Sequence, residues 1–245
     1  VWAALLCVFL CTILCGCQSA AEPEALGMQE PVVQAMSSPE PEPEPEPEPD
    51  YHFHQNYMAA SDGFFRPDEP LRRVDCAQLL YNLTQDIPRS AEPAQYDDVL
   101  PEYWYYEAVS AVGGYLPQAE GETRFFPSES IMPDAFVTAL LAALGQTEQS
   151  APPELLQAAQ ALTPDGAQGE EVPAPAPVTR AQAAVLVNRA LGREPDAEAI
   201  GSVCRSLLLD VPEDREDFAD LVEAVLPHEY YLDGADTQEH YRADA

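Results

Sequence analysis

The chain has 245 residues and carries 43 acidic against 11 basic side chains, which gives a formal net charge of −32 at pH 7. This length suffices for one domain of ordinary size with tails at its ends. Binding to nucleic-acid phosphates needs clustered Lys and Arg, so the composition excludes DNA and RNA as partners. Strong acidity is common on exported proteins, where it favours solubility.

The first segment of the chain is apolar and uncharged. Residues 1–16 are too few to cross a bilayer comfortably, but they suit the hydrophobic part of an export signal. The segment ends in LCGC, residues 14–17, which resembles the lipobox of bacterial lipoproteins. The resemblance implies a signal peptide over residues 1–17 and membrane attachment through a lipid on Cys17. An ordinary cleaved signal or a plain hydrophobic anchor is the alternative.

A spacer rich in proline and glutamate follows at residues 18–50 and ends in a strict alternation of proline and acid. Proline fixes φ and lacks a backbone donor, and like charges repel one another. The composition therefore predicts a disordered, extended polyproline II linker. At about 3.1 Å per residue it would reach on the order of 100 Å and lift the folded part away from the membrane.

Three segments within residues 51–227 share one pattern, and they begin at Phe65, Phe125 and Val172. In each, an aromatic or aliphatic residue and a proline precede a turn, and apolar residues at helical spacing follow. The pattern predicts a loop, a cap and an amphipathic helix in every segment. We expect the positions in register to share a core: Cys76, Phe136 and Ala183, then Leu80, Leu140 and Val187. Cys76 is thus expected to be a small buried hydrophobe.

A second motif consists of an Asp-Val entrance followed by an apolar helix. It begins at Asp98, with Trp104 further along, and it recurs near the C-terminus at Asp210. Between the second and third segments, residues 153–159 predict the equivalent helix without the Asp-Val entrance. The two motifs thus alternate along the folded part of the chain.

In this order the motifs resemble those of the S-layer homology domain. Repeats of that family pair a Phe-x-Asp-Val, Trp-Ala-Tyr helix with a Gly-x-Phe-x-Pro loop and a Thr-Arg-Ala-Glu helix. The best matches here are residues 62–67, 98–109 and 178–182, and the likeness covers roughly residues 57–227. The resemblance implies a mainly α fold, a compact array of about three loop–helix repeats that follows the disordered linker.

Domains of this family act in threes and bind pyruvylated secondary cell-wall polymers in grooves between repeats. The resemblance therefore implies a non-catalytic module without cofactors, bound to cell-wall polysaccharide on the outer face of the bacterial envelope. An anionic sugar needs an arginine fork for its charge and an aromatic face for its ring. The family's motif positions carry this role over to Arg73, Trp104, Arg180, Asp98 and Asp210.

Each of these residues also has a structural interpretation. Trp104 fits a core aromatic at least as well as a stacking face, and we favour helix N-caps for the two aspartates. Surface or inter-repeat salt bridges suit the two arginines as well as ligand binding does. Pro133 replaces the motif arginine in the second segment, and Glu216 stands near the place of a tryptophan, so at most two grooves keep their motif residues.

No catalytic or metal-binding motif stands out among the remaining residues. His52 and His54 form a His-x-His pair, while His228 and His240 lie near the C-terminus among several acids. A zinc site needs three or four converging ligands, and nothing in the sequence brings these histidines together. We therefore predict no metal site and solvated or partly packed histidines.

Residues 228–245 are predicted to form a C-terminal tail that resembles the start of a further element cut short. The chain would then be the anchoring half of a larger surface enzyme, with its catalytic domain beyond Ala245. A degenerate module that binds a protein partner is the other alternative to the wall-binding function.

Overall fold

The computed structural model describes residues 48–85, 93–162, 176–196, 198–200, 208–234 and 238–242, which all belong to the compact unit Pro47–Ala245. The predicted signal peptide, Cys17 and residues 18–47 of the predicted spacer lie outside these ranges. Among the described helices, none combines the length and the apolar character that crossing a membrane requires.

Helices account for most of the regular structure in the described ranges. They are α1 (Arg73–Leu83), α2 (Tyr106–Val112), α3 (Pro133–Ala143), α4 (Pro153–Leu162), α5 (Arg180–Leu191) and α6 (Phe218–Val225), and a 3₁₀ turn, Gly113–Tyr115, extends α2. Helices α1, α3 and α5 lie in the three loop–helix segments, and α2, α4 and α6 lie where the second motif and its equivalent predict helices. Three short strands, β1 (His52–His54), β2 (His228–Tyr231) and β3 (His240–Tyr241), were not predicted.

The apolar faces of these helices meet in one core. Its members include six fully buried positions that the sequence pattern places in register: Cys76, Leu80, Phe136, Leu140, Ala183 and Val187. Burying a large aliphatic or aromatic side chain contributes about 1.5–3 kcal/mol to stability. The helices therefore form because the core covers their apolar faces, since helices of this length are marginal on their own.

Three backbone hydrogen bonds close a ring inside the core. The N–H of Leu71 donates to the C=O of Val178 at 2.8 Å, and the N–H of Val178 donates to the C=O of Ile131 at 3.0 Å. The N–H of Ile131 completes the ring by donating to the C=O of Leu71 at 3.0 Å. Each residue is buried and stands two positions before α1, α3 or α5 begins. The ring gives the three helix entrances equivalent surroundings.

Two of these helices also begin with equivalent bonds to a neighbouring segment. The first amide of α1, at Arg73, donates to the C=O of Glu129 at 2.7 Å, and that of α5, at Arg180, donates to the C=O of Glu69 at 3.0 Å. Pro133 begins α3 and has no N–H to donate, which a first helical position tolerates. Proline at the position where α1 and α5 have an arginine thus leaves the helix intact and carries no charge.

The three strands form an antiparallel sheet in the order β1-β2-β3. His54 lies opposite His228, and Tyr230 lies between His52 and Tyr241. The predicted boundary between a module at 51–227 and a tail at 228–245 therefore does not separate two structural parts, because the described tail residues pair with β1. Local sequence patterns do not reveal a pairing between strands so distant in the chain.

Candidate ligand-binding groove

Two aspartates each hold a loop by accepting hydrogen bonds from successive backbone amides. The Asp98 carboxylate accepts from Phe125-Phe126 at 2.6 and 2.8 Å, and Asp210 accepts from Phe65-Arg66 at 2.8 and 2.7 Å. The second residue of each pair has a positive φ, 57° at Phe126 and 58° at Arg66, a conformation that non-glycine residues seldom adopt. The favoured helix N-cap interpretation is wrong here, because both carboxylates cap loops.

The side chains of two arginines bind the same two loops from the other side. The Nε of Arg180 donates to the C=O of Phe65 at 2.7 Å, and its Nη2 donates to the C=O of Ala59 at 2.8 Å. Arg73 repeats this at Phe125, where its Nε donates at 2.8 Å. The guanidinium carbons lie 4.9 and 5.0 Å from the centres of the Phe65 and Phe125 rings.

Neither arginine pairs with a carboxylate among the described residues, so the salt-bridge interpretation is wrong within that part of the chain. Nη1 of Arg180 and Nη2 of Arg73 make no hydrogen bond there and stay available as donors. Burial lowers the pKa of the Arg180 guanidinium from its ordinary value. Its guanidinium stays charged but is poorly hydrated, which favours contact with an anion.

A groove of about 590 Å³ lies beside Arg180. Arg66, Arg72 and Arg180 line it together with Glu69 and Asp75, so three positive charges face two negative ones in a chain of net charge −32. Arg72 is held by Asp75 through two hydrogen bonds of 2.7 and 3.0 Å. The remaining lining residues are Ala59, Ser61, Pro70, Ser128 and Ser130. The groove combines guanidinium and hydroxyl groups, the chemistry that recognises anionic, hydroxylated ligands.

Trp104 lines a smaller hollow of about 160 Å³, which shares Ala59, Asp75 and Arg180 with the groove. The indole is 68% exposed, so the interpretation of Trp104 as a core aromatic is wrong. Its ring meets the Tyr105 ring edge-on at a centroid distance of 5.3 Å, which supports the indole from one side. An aromatic face and a guanidinium therefore stand on one continuous surface.

The five residues expected to contact a ligand thus separate into two groups. Trp104 and Arg180 come together at the shared hollow. Arg73, Asp98 and Asp210 do not line the groove or the hollow, and they position loops instead. Sequence reasoning did not assign Arg66 or Arg72 to the ligand site, although the scarcity of basic residues makes Arg72 one of the few that could face an anion. Arg66 lies within the Phe-Phe-Arg-Pro loop, and Arg72 directly precedes the motif arginine. This proximity to the matched motifs is the sequence signal that could have identified them.

A hollow larger than the groove lies between α3 and α4, with a volume of about 730 Å³. Asp134 and Glu148 line it, and no arginine or lysine does. Pro133, which replaces the motif arginine, also lines this hollow. The acidic lining of this hollow disfavours an anionic ligand. Its greater volume therefore does not make it a better candidate than the groove for the ligand-binding site.

His52 is exposed and His240 is partly exposed, as the sequence analysis predicts, but the side chains of His54 and His228 are not. The ring centroids of His54 and His228 are 4.8 Å apart, because the register of β1 and β2 places these residues opposite each other. Both side chains are buried, unlike the exposed His52 on the same strand. The sheet therefore creates a polar cluster that the sequence spacing conceals.

Comparison with known proteins adds no relative to these observations. No model of a protein family matches the chain, and no curated protein matches it. The likeness to the S-layer homology domain therefore stays a prediction from the sequence motifs.

Proposed function

We propose that the described unit is a non-catalytic binding module that attaches a surface lipoprotein to an anionic cell-wall polysaccharide. One observation carries this function: the exposed indole of Trp104 and the guanidinium of Arg180 line one hollow, which adjoins a groove with three arginines. In a chain with 43 acidic and 11 basic residues, such a concentration of positive charge marks a surface suited to an anion.

We propose further that the three loop–helix segments are repeats of one unit, as in the family that they resemble. The ring formed by Leu71, Ile131 and Val178 supports this, because each segment supplies one donor and one acceptor. Equivalent contacts at Arg73 and Arg180 also support it, since the corresponding distances agree within 0.1 Å, 2.8 and 2.7 Å to the carbonyls and 5.0 and 4.9 Å to the rings.

The groove draws its lining from all three segments, which suits a ligand bound between repeats. Arg66 and Arg72 come from the first segment, Ser128 and Ser130 from the second, and Arg180 from the third. The side chains of Arg66 and Arg72 are 46% and 52% exposed, so they can reach a carboxylate on a polymer outside the groove. Each charge-assisted hydrogen bond of this kind contributes about 1.5–3 kcal/mol.

Lipidation of Cys17, an extracellular position and the spacer belong to the same hypothesis. A lipid on Cys17 would hold the chain at the membrane, and the proline–glutamate spacer would carry the module outwards to the wall. The module itself would then add a second attachment point. Two linked attachments hold a protein more firmly than either alone, provided the spacer can span the distance between them.

The test is co-sedimentation of the full chain, in mild detergent, with cell-wall sacculi before and after mild acid removal of their secondary polymers. We expect binding to intact sacculi and none to stripped sacculi. Trp104→Ala and Arg72→Ala should weaken binding at least about tenfold, the equivalent of one strong contact. Arg124→Ala is the matched control, because Arg124 is similarly exposed but lies outside the groove.

Equal binding to stripped and intact sacculi would show that the polymer is not the ligand. Failure to bind intact sacculi would overturn the wall-binding function. Loss of binding in Arg124→Ala to the same extent as in Arg72→Ala would mean that overall charge acts rather than the groove.

A further inference from the structure

A buried polar cluster lies where the sheet meets α6. It consists of His54 on β1, Glu223 on α6, His228 on β2 and Glu239 just before β3, and we call it the histidine–glutamate cluster. His54, Glu223 and Glu239 are at most 2% exposed, and the His228 side chain is 8% exposed. Such burial of two carboxylates is costly unless a cation accompanies them.

Backbone carbonyls fix the orientation of both imidazole rings. Nε2 of His54 lies 2.9 Å from the C=O of Glu223, and Nδ1 of His228 lies 2.9 Å from the C=O of Leu226. A carbonyl only accepts, so these two nitrogens carry the hydrogens. In the neutral rings, His54 Nδ1 and His228 Nε2 then carry the lone pairs and face the carboxylates, which is how second-sphere carbonyls orient metal-binding histidines.

The polar atoms of the cluster are poorly satisfied within the protein. Glu223 Oε1, His228 Nε2 and Glu239 Oε2 are buried and make no hydrogen bond to any residue that the structure describes. Leaving a buried polar atom without a partner costs about 1–3 kcal/mol. Burial, followed by the negative charge of Glu239, raises the pKa of Glu223 to about 7.

Arg193 is the cation that the cluster already holds. Its Nη1 contacts His54 Nδ1 and lies 3.6 Å from Glu223 Oε1, and its Nε lies 3.4 Å from Glu239 Oε1. One guanidinium supplies a single positive charge to two carboxylates. The guanidinium contacts Oε1 of each glutamate. His228 Nε2 and Glu239 Oε2 lie 3.5 Å apart, and neither makes a hydrogen bond within the described ranges.

We propose that the histidine–glutamate cluster is a binding site for one divalent transition-metal ion, with Zn²⁺ as the best match. Its ligands would be His54 Nδ1, His228 Nε2 and one oxygen each from Glu223 and Glu239. Two imidazoles and two carboxylates together offer four nitrogen and oxygen ligands, a combination that binds zinc. Calcium and magnesium prefer oxygen ligands alone, so the imidazoles disfavour them.

Three contacts between the ligand residues have the spacing of a tetrahedral site, but Glu223 faces His54 through Oε1 and His228 through Oε2, so its carboxylate would have to rotate to bind one ion through a single oxygen. With metal–ligand distances of about 2.0–2.2 Å, the ligand atoms of a tetrahedral site lie about 3.3–3.6 Å apart. His54 Nδ1 is 3.4 Å from Glu223 Oε1, and His228 Nε2 is 3.5 Å from both Glu223 Oε2 and Glu239 Oε2. Ligand atoms of His54, Glu223 and His228 all lie within 4.8 Å of one another.

The site is structural in character, because it is buried and its ligands come from distant parts of the chain. An ion there would tie β1 to α6, β2 and the residue before β3. Arg193 would have to give up its contacts with the cluster, and its side chain is 21% exposed, so a path towards solvent exists. The metal and Arg193 are therefore alternative counter-ions for the same carboxylates.

The test begins with the unmodified full chain in mild detergent, loaded with Zn²⁺ and dialysed against excess Mg²⁺ to clear the acidic surface. We expect one Zn²⁺ to remain per chain by elemental analysis. Co²⁺ in its place should give the intense visible absorption of four-coordinate cobalt. Surface carboxylates would give only the pale spectrum of six-coordinate cobalt, so the spectrum identifies the site without any variant.

Variants then locate the ion. His54→Ala and Glu239→Gln should each weaken Zn²⁺ binding at least about tenfold, since even outer-sphere changes cost about 10- to 100-fold in metal affinity. His52→Ala is the matched control, because His52 is on the same strand but exposed. Arg193→Ala should bind Zn²⁺ at least as tightly as the unmodified chain, because it removes the competing cation.

A chain that retains no Zn²⁺ after dialysis, or that shows only six-coordinate cobalt, would overturn the site and leave a network neutralised by Arg193. Equal loss of Zn²⁺ in His52→Ala and His54→Ala would overturn it too, because the ion would then sit on the outer surface of the sheet. Neither result depends on whether the module binds cell-wall polymer.

Discussion

At the scale of single residues, the carboxylate of Asp98 has a larger structural role than the exposed acidic side chains near it. It accepts hydrogen bonds from two successive amides and so holds Phe126 at a φ of 57°. The strain of that conformation is small, about 1–3 kcal/mol, but the loop must be held against it. Because the Phe125 side chain is fully buried, the carboxylate also fixes an anchor of the core.

We therefore expect Asp98→Ala to lower the free energy of unfolding by about 1.5–3 kcal/mol, the usual contribution of hydrogen bonds to a charged group. Urea unfolding followed by circular dichroism measures the change. Glu102→Ala removes a nearby exposed acid and should change the midpoint little. An equal loss in both variants would mean that charge, rather than the two amide bonds, is responsible.

Cys76 gives a prediction about pH. Burial raises the pKa of its thiol from 9.0 to about 12. The folded state thus keeps the proton that the unfolded state releases, so this contribution to stability is complete below about pH 9 and is lost as the pH rises towards 12. In unmodified protein the stability should fall faster over this range than in Cys76→Ala, measured by urea unfolding at successive pH values.

Labelling provides an independent check on the same residue. Iodoacetamide at pH 8 should leave the peptide that contains Cys76 unmodified in native protein and should modify it in urea, as mass spectrometry of the digest would show. Rapid modification of the native protein would contradict the buried position of this thiol.

At the scale of elements, the helices of the three segments begin in different ways. Helix α5 has a capping box, in which the Thr179 hydroxyl accepts from the Gln182 amide and the Gln182 side chain accepts from the Thr179 amide. Helix α1 begins after Arg72 with no side-chain cap. Its first amide donates to the C=O of Glu129, as that of α5 donates to the C=O of Glu69, so the capping box is the difference between the two helix starts.

Thr179→Ala should therefore destabilise the protein by about 0.5–2 kcal/mol, whereas Arg72→Ala at the equivalent position of α1 should change stability little. Thermal unfolding of both variants compares the two helix starts directly. Thr179→Ser keeps the hydroxyl and should restore most of the loss. If it does not, the methyl group rather than the cap is what Thr179 contributes.

Sequence patterns predict the helices well because their apolar residues recur at the helical period, as at Cys76 and Leu80. They could not predict the sheet, since His52–His54 and His228–Tyr231 are short and each needs a partner far along the chain. The same distinction applies to the residues of the groove and of the histidine–glutamate cluster. Trp104 and Arg180 follow from motif matches, but the meeting of His54 with His228 depends on a strand register that only the folded chain defines.

At the scale of the whole molecule, positive charge is scarce and unevenly placed. The chain has 11 basic residues against 43 acidic ones, and three of the arginines line the groove beside Arg180. An anionic polymer approaching the chain is therefore repelled at long range and attracted only close to the groove. These two effects respond differently to salt, because salt screens exposed charges that are far apart more than contacts in a partly buried site.

Association of the chain with an anionic wall polymer should accordingly speed up when the ionic strength rises from about 0.01 M to about 0.1 M, as the Debye length shrinks from about 30 Å to about 10 Å. Most proteins that bind polyanions through a basic surface show the opposite trend, because salt weakens their steering. Association rates measured by interferometry on immobilised polymer, at a series of NaCl concentrations, distinguish the two. A rate that falls steadily with salt would mean that the arginines of the groove dominate the field even at long range, and that the acidic remainder of the chain does not oppose the approach of the ligand.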